Sequence, residues 1–219
     1  MRPALLLVLC FLTLTGCRDR HEWHQKLTLV VQTPAGEVSG SAVVGVSALF
    51  GNIPMTGTEV EYSVIGEATV VEVAPGRYLF ALVPGSEERF YYAARDRFAG
   101  MPRGEWLAEI QRQTESVSLL PDALPMLVTF TDVADPASVT LVNPADLAAS
   151  FGSGVALTGA WLEITDEPVT DGGVAAVLGW LCDYKNDYRR LSGSRSIAIS
   201  DNELANNLGP GHLDLGDCQ

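Results

Sequence analysis

The sequence predicts an α+β fold, in which an N-terminal antiparallel, sandwich-like sheet is followed by mixed strands and two or three helices. Three observations lead to this prediction. Apolar and polar residues alternate with period two over most of residues 26–84, Pro/Gly turns separate the alternating runs, and helical spacing begins only after residue 84. Hydrophobic residues make up 47% of the chain, which suits one large domain or two small ones.

The first seventeen residues have the pattern of an export signal. Arg2 supplies a positive charge, an apolar run extends from Ala4 to Thr15, and small residues lead into Cys17. This order is typical of a secretory signal peptide. The stretch Leu14-Thr15-Gly16-Cys17 resembles the lipobox of bacterial lipoproteins. The resemblance implies removal of residues 1–16 and attachment of a diacylglyceryl group, with fatty acids such as palmitate, to the sulfur of Cys17.

The expected location is the cell envelope, with the protein anchored by lipid on the periplasmic face of the outer membrane. In enteric lipoproteins an aspartate directly after the cysteine retains the protein at the inner membrane, and here that residue is Arg18. Two alternatives stay open, a plain cleavable signal with a chance cysteine and an uncleaved anchor. The apolar run is shorter than the roughly 20 residues that a spanning helix needs. Two or more acyl chains attach a protein stably to a membrane.

The charge balance is strongly acidic. The chain has 14 basic and 27 acidic residues, and loss of Arg2 with the signal would leave a formal charge of −14. An acidic chain repels polyanions, so nucleic acid and anionic headgroups are poor partners. We therefore expect membrane attachment to come from the lipid, and we predict no cofactor.

The cysteines predict one disulfide. Cys10 would leave with the signal and Cys17 would carry lipid, so that Cys182 and Cys218 remain as a pair in an oxidising compartment. The alternative is two separate buried thiols.

Residues 17–25 are expected to be a lipidated polar tether and residues 26–84 a β-rich subdomain. Alternation over 27–31 and 38–46, joined by Pro34-Ala35-Gly36, indicates an antiparallel hairpin. A third strand follows at 59–64, with Glu59 and Glu61 on its solvent side. Residues 70–73 and 78–83, joined by Ala74-Pro75-Gly76-Arg77, form a second hairpin. Whether this region is an independent domain stays open.

Residues 85–191 are expected to form an α+β subdomain. Helical spacing over 103–117 and 170–188 predicts two helices, and Asn143-Pro144 begins a short third one that ends at Gly152. Strands are expected at 126–131, 138–142 and 156–165. Residues 192–219 lack any period and are expected to be an irregular tail, held to the last helix by the disulfide.

Three pieces of the body loosely resemble uncharacterised proteobacterial envelope proteins. They are Trp23-His24-Gln25-Lys26-Leu27-Thr28, Ala145-Asp146-Leu147-Ala148-Ala149-Ser150-Phe151-Gly152 and Leu162-Glu163-Ile164-Thr165-Asp166-Glu167-Pro168-Val169-Thr170. The resemblance implies a shared fold and no particular activity.

Two groups of residues invite a metal-site interpretation. His21, Glu22 and His24 are one residue short of the zinc-protease spacing His-Glu-x-x-His, and we interpret them as part of the polar tether. The acidic loop with Asp166, Glu167 and Asp171 lacks the calcium-loop spacing, so we favour acids at a helix N-terminus. Asp214 and Asp217 in the tail give an even weaker indication of a metal site.

Catalytic motifs are not found in the sequence, which contains neither a Gly-x-Ser-x-Gly elbow nor a phosphate loop. An aromatic and basic cluster could be a ligand or partner surface, but core packing is favoured. Its members are Arg89, Phe90, Tyr91, Tyr92, Arg95, Arg97 and Phe98. We therefore predict a non-enzymatic envelope lipoprotein that binds or assembles with an envelope protein, the alternative being a periplasmic metal-dependent hydrolase.

Overall fold

The fold combines two antiparallel sheets with short helices, which confirms the predicted α+β class. It is seen in a computed structural model that describes residues 19–51, 59–119, 123–196 and 202–218. The signal segment, Cys10 and Cys17 lie outside the described residues. Among the helices in these ranges, none has both the length and the apolar composition needed to cross a bilayer.

The first sheet is built around the N-terminal strand. Strand β1 (Asp19–Thr33) pairs along its whole length with β2 (Gly36–Phe50), from Asp19 opposite Phe50 to Thr33 opposite Gly36. Its other edge pairs with β9 (Ala156–Thr165). The outer strands are β3 (Val60–Ile65), beside β2, and β6 (Val117–Ser118), beside β9. The strand order is therefore β3-β2-β1-β9-β6, with β1 at the centre.

The second sheet has the order β4-β5-β7-β8. Its strands are β4 (Thr69–Ala74), β5 (Arg77–Ala81), β7 (Leu127–Phe130) and β8 (Val139–Leu141). The β4–β5 hairpin is the one predicted from the Pro75-Gly76 turn. Side chains from both sheets, such as Leu29 and Phe80, join a single hydrophobic core. Both sheets contain strands from either side of residue 84, so that position does not separate two sheets.

Six short α-helices lie in the described part of the chain, more than the two or three expected. They are α1 (Ser86–Ala93), α2 (Arg103–Ile110), α3 (Ala148–Phe151), α4 (Gly173–Val177), α5 (Leu181–Asn186) and α6 (Glu203–Asn207). Short 3₁₀ turns occur at Arg95–Phe98, Pro136–Ser138 and Pro210–His212.

The polar tether expected over residues 17–25 is instead strand from Asp19 onward. The pairing with β2 extends to Phe50, so backbone hydrogen bonds order this polar stretch. Trp23 and Gln25 point inward and are buried, while Glu22 on the opposite side is exposed. The segment is polar because its outward-facing side meets solvent.

The long helix expected over residues 170–188 is wrong as a single element. The structure has α4 and α5 with a break at residues 178–180, which includes Gly179, a poor helix former. The break redirects the chain, and Val174, Leu178 and Leu181 are all fully buried. The helix expected over 103–117 likewise ends early, at Ile110, because Val117 pairs with Leu162 of β9.

The tail is more ordered than expected. It contains α6, and Ala205, Leu208 and Leu213 are buried in the core. Its chain also pairs with the start of the second hairpin, where Ala68 N–H donates to the carbonyl oxygen of Leu213 at 2.7 Å and Leu215 N–H to that of Gly66 at 2.8 Å. The Cys182–Cys218 disulfide, which the sequence predicted, joins α5 to this segment.

Candidate functional site

The Asp19 end of β1 is the end of the strand nearest in sequence to Cys17, which itself lies outside the described residues. Helix α2 lies across this end. A Cβ atom at Gly104 would stand 2.8 Å from the ring of Phe50, the partner of Asp19. At the other end of α2, the amide nitrogen of Gln111 lies 3.1 Å from Nδ1 of His21. Helix α2 therefore contacts the start of the strand at His21, while Asp19, Arg20 and Glu22 are exposed.

The aromatic cluster divides into packed and exposed parts. Phe90 and Phe98 are buried, and the Tyr91 ring lies 4.4 Å from that of Trp106, between centroids. This is the core packing that the sequence favoured. Tyr92, however, is 59% exposed, and Met101, in the segment between α1 and α2, is 40% exposed. The Tyr92 hydroxyl donates to Glu88 of α1, which also accepts from Tyr62 of β3.

Arg89 is a buried cation within the same cluster. Its guanidinium donates to Ser86 Oγ at 2.8 Å and to the carbonyl oxygen of Pro84 at 2.7 Å. Burial lowers the pKa of Arg89 to about 10. These contacts fix the loop before α1, so Arg89 has a structural role, whereas Arg95 and Arg97 are exposed.

The histidines near the N-terminus do not converge on one point. His24 Nδ1 lies 2.7 Å from the carbonyl oxygen of Glu167, whereas His21 contacts Gln111. His21 and His24 therefore make separate contacts along β1. Over the described ranges, no group of three or more His, Cys, Asp or Glu side chains has the geometry to hold a metal ion.

Three carboxylates meet where the tail joins the second hairpin. Asp171 and Asp214, both noted in the sequence, lie close enough to Glu67 to act on its charge. Glu67 is buried, and its two oxygens accept hydrogen bonds from Gly173 N–H at 3.0 Å and Val174 N–H at 2.8 Å. Burial raises the pKa of Glu67, and the two hydrogen bonds oppose that rise.

The contacts of these three carboxylates give them a structural role. Asp214 is held by Lys185, whose Nζ lies 3.3 Å from it and also donates to the carbonyl oxygen of Gly216. Glu67 holds the start of α4. Asp166 is exposed, and Glu167 pairs with Lys26 at 2.7 Å. The sequence missed Glu67 because a lone acid after a strand carries no motif, and its partners are more than 100 residues away.

An apolar groove of ≈ 480 Å³ opens at the Thr33 end of β1. It is lined by two turns, Pro34-Ala35 between β1 and β2 and Ala74-Pro75 between β4 and β5, and by the end of α3 with the loop that follows. The lining is Thr33, Pro34, Ala35, Val38, Glu72, Val73, Ala74, Pro75, Phe151, Ser153 and Val155. Glu72 is the one charged residue in this lining.

The position of Phe151 in the groove is fixed by Arg77. The guanidinium of Arg77 lies 5.4 Å from the centre of the Phe151 ring and donates to the carbonyl oxygens of Phe151, at 3.1 Å, and Ser150. The groove is therefore a formed surface rather than a gap between loose loops. No signal for it exists in the sequence, because its lining comes from three separate parts of the chain.

The groove and the Asp19 end lie at opposite ends of β1. The strand has 15 residues, which at about 3.3 Å per residue places the two ends about 45 Å apart. Comparison with known proteins finds no family model, no curated protein and no solved structure that matches this chain.

Proposed function

We propose that the chain is a lipid-anchored protein of the bacterial cell envelope that binds another envelope protein and has no enzymatic activity. The lipobox-like Leu14-Thr15-Gly16-Cys17, at the end of a signal-like apolar run, carries the proposal. The disulfide between Cys182 and Cys218 supports it, because such bonds persist in oxidising compartments such as the periplasm. Attachment to the outer membrane, on the periplasmic face, is part of the proposal.

The apolar groove is the binding surface that we propose. Its lining of prolines and aliphatic side chains with a single carboxylate favours an uncharged, apolar ligand. The chain's own lipid would lie about 45 Å away at the other end of β1, so it is a poor occupant. We therefore assign the groove to an extended apolar segment of a second envelope protein, approached from the side away from the bilayer.

Lipidation is tested by replacing the modified residue. The wild-type chain and Cys17→Ser are expressed in a Gram-negative host, the envelope is fractionated and the mature N-terminus is measured by mass spectrometry. We expect an acylated wild-type protein in the outer-membrane fraction and an unacylated variant that is not retained there. Unacylated wild-type protein outside the membrane fractions would refute the anchor.

Binding is tested by photo-crosslinking from the groove. A photoreactive side chain is placed at Ala35, in the groove, or at Thr140, an exposed control position on β8. We expect an identified envelope protein, crosslinked through an uncharged apolar segment, from position 35 only. Ser153→Arg should abolish this product by placing a charge in the groove. Recovery of the protein alone, or the same products from both positions, would contradict the assignment.

A further inference from the structure

The distance between Cys17 and the fold limits how the body can stand on a membrane. Strand β1 begins at Asp19, and two residue steps span at most about 7 Å. An acylated Cys17 would therefore place the Asp19 end of the fold directly at the bilayer surface. A flexible spacer between lipid and body, as the sequence suggested, would have allowed many orientations. Because a paired strand stands in place of this spacer, most of those orientations are excluded.

The surface beside the Asp19 end consists of α1, α2 and the segment between them. Gly104 packs against Phe50, and Tyr62, which pairs with Ala48 on β2, donates to Glu88 of α1 at 3.2 Å. Ala48 in turn lies opposite His21. These contacts put both helices at the level of the first residues of β1.

This surface exposes side chains suited to the headgroup layer. Tyr92 and Met101 are 59% and 40% exposed, and a tyrosine combines an apolar ring with a polar tip. The connecting segment, residues 94–102, carries two arginines and one aspartate, although the chain as a whole is strongly acidic. Arg97 pairs with Glu115, and Arg103 at the start of α2 pairs with Glu88, each at 3.4 Å. The helices themselves carry glutamates, so the lipid anchor supplies the attachment and this segment supplies the contact.

We propose that residues 92–103 form the bilayer-facing surface of the protein, with Tyr92 and Met101 at the level of the lipid headgroups. The inference rests on the proposed lipidation of Cys17. It fixes the orientation of the body, with β1 rising from the membrane and the apolar groove about 45 Å away from it.

Spin labels on the lipidated protein test this orientation. The acylated full-length product is reconstituted into vesicles of phosphatidylethanolamine and phosphatidylglycerol. Met101→Cys is labelled with a nitroxide, and Ala35→Cys, at the other end of β1, is the matched control. The native cysteines do not interfere, because Cys17 would carry lipid and Cys182 is bonded to Cys218. Collisions with oxygen and with a water-soluble nickel complex are compared.

We expect the label at position 101 to collide with the nickel complex at least about two-fold less often than the label at position 35, and with oxygen more often, because the interfacial layer partly excludes water. Tyr92→Cys should behave like Met101→Cys. Equal, water-like accessibility at positions 35, 92 and 101 in vesicle-bound, acylated protein would overturn the orientation while leaving the anchor intact. Absence of acylation in the same preparation, seen by mass spectrometry, would overturn both.

Discussion

Gly40 on β2 lies directly against the carbonyl group of Val70 on β4. A Cβ atom on Gly40 would stand 1.9 Å from the carbonyl oxygen of Val70, far inside any contact that real side chains make. Because the obstacle is backbone, it cannot rotate away as a side chain would. At this contact the main chains of the two sheets lie against each other, and the contact requires glycine.

Gly40→Ala is therefore expected to destabilise the fold by about 2–3 kcal/mol or more, since β2 and β4 must move apart. Urea denaturation in the unlipidated Cys17→Ser background measures this. Gly179→Ala is the matched control, because nothing lies within 4 Å of its added Cβ. We expect the control to change stability by less than about 0.5 kcal/mol. Equal effects of the two substitutions would contradict the close approach.

Reduction of the disulfide should weaken the attachment of the tail. The bond closes a loop with a sequence separation of 36, for which the chain-entropy model gives about 4 kcal/mol. Denaturation midpoints with and without reductant measure the loss. The double variant Cys182→Ala/Cys218→Ala should be insensitive to reductant and as stable as reduced wild type. Two titratable thiols in unfolded, non-reduced protein would disprove the bond.

Glu67 should make stability depend on pH in a defined direction. Burial raises the pKa of Glu67 in the folded chain above the ordinary value of 4.5. In the pH interval between the unfolded-state and folded-state pKa values, the folded chain therefore holds a proton that the unfolded chain has released. The free energy of unfolding due to this group therefore falls as pH rises through the interval. The stability of wild type relative to Glu67→Gln should fall as the pH rises above 4.5.

Denaturation at several pH values checks this, with Asp166→Asn on the exposed loop as the comparison variant. A wild-type protein that gains stability over Glu67→Gln with rising pH would show that the two backbone hydrogen bonds outweigh burial.

Gln25 should contribute strongly to stability although it is polar. It is only 1% exposed, and its amide donates to the carbonyl oxygen of Ser86 at 2.6 Å while accepting from the Trp23 indole at 3.3 Å. Gln25→Ala leaves the Trp23 indole N–H and the Ser86 carbonyl oxygen without the Gln25 amide as a partner, which should lower the free energy of unfolding by about 2–4 kcal/mol. Gln32→Ala on the same strand removes a single amide hydrogen bond, to Thr33, and should cost under about 1 kcal/mol. Similar losses would show that the Gln25 contacts are weak.

The strands were largely predictable from the sequence. The hairpins around Pro34-Ala35-Gly36 and Pro75-Gly76, and the strand at residues 156–165, were all identified from alternation and turn residues. These are local signals, since period two and a tight turn are visible within a few residues. The disulfide was predictable for a different reason, because the expected loss of Cys10 and lipidation of Cys17 left one pair of cysteines in an expected oxidising compartment.

The errors came from contacts between distant residues. The residues from Asp19 to Gln25 looked like a tether because their pairing partners lie on β2 and β9. The helix expected over 170–188 is divided because core packing redirects the chain at residues 178–180. Helix α1 was missed, since its run of Phe90, Tyr91 and Tyr92 has no clear helical period. The groove and the Glu67 contacts likewise join parts of the chain that are far apart in sequence.

The central place of β1 has a consequence for biogenesis. In the proposed export from the N-terminus, β1 and β2 would emerge together and could pair at once, but the other edge of β1 would have to wait for residues 156–165. An unpaired strand edge is a template for association with other chains. For most of translocation the nascent protein would thus present a fifteen-residue strand with one open side, which makes this interval the one in which a periplasmic chaperone would protect it best.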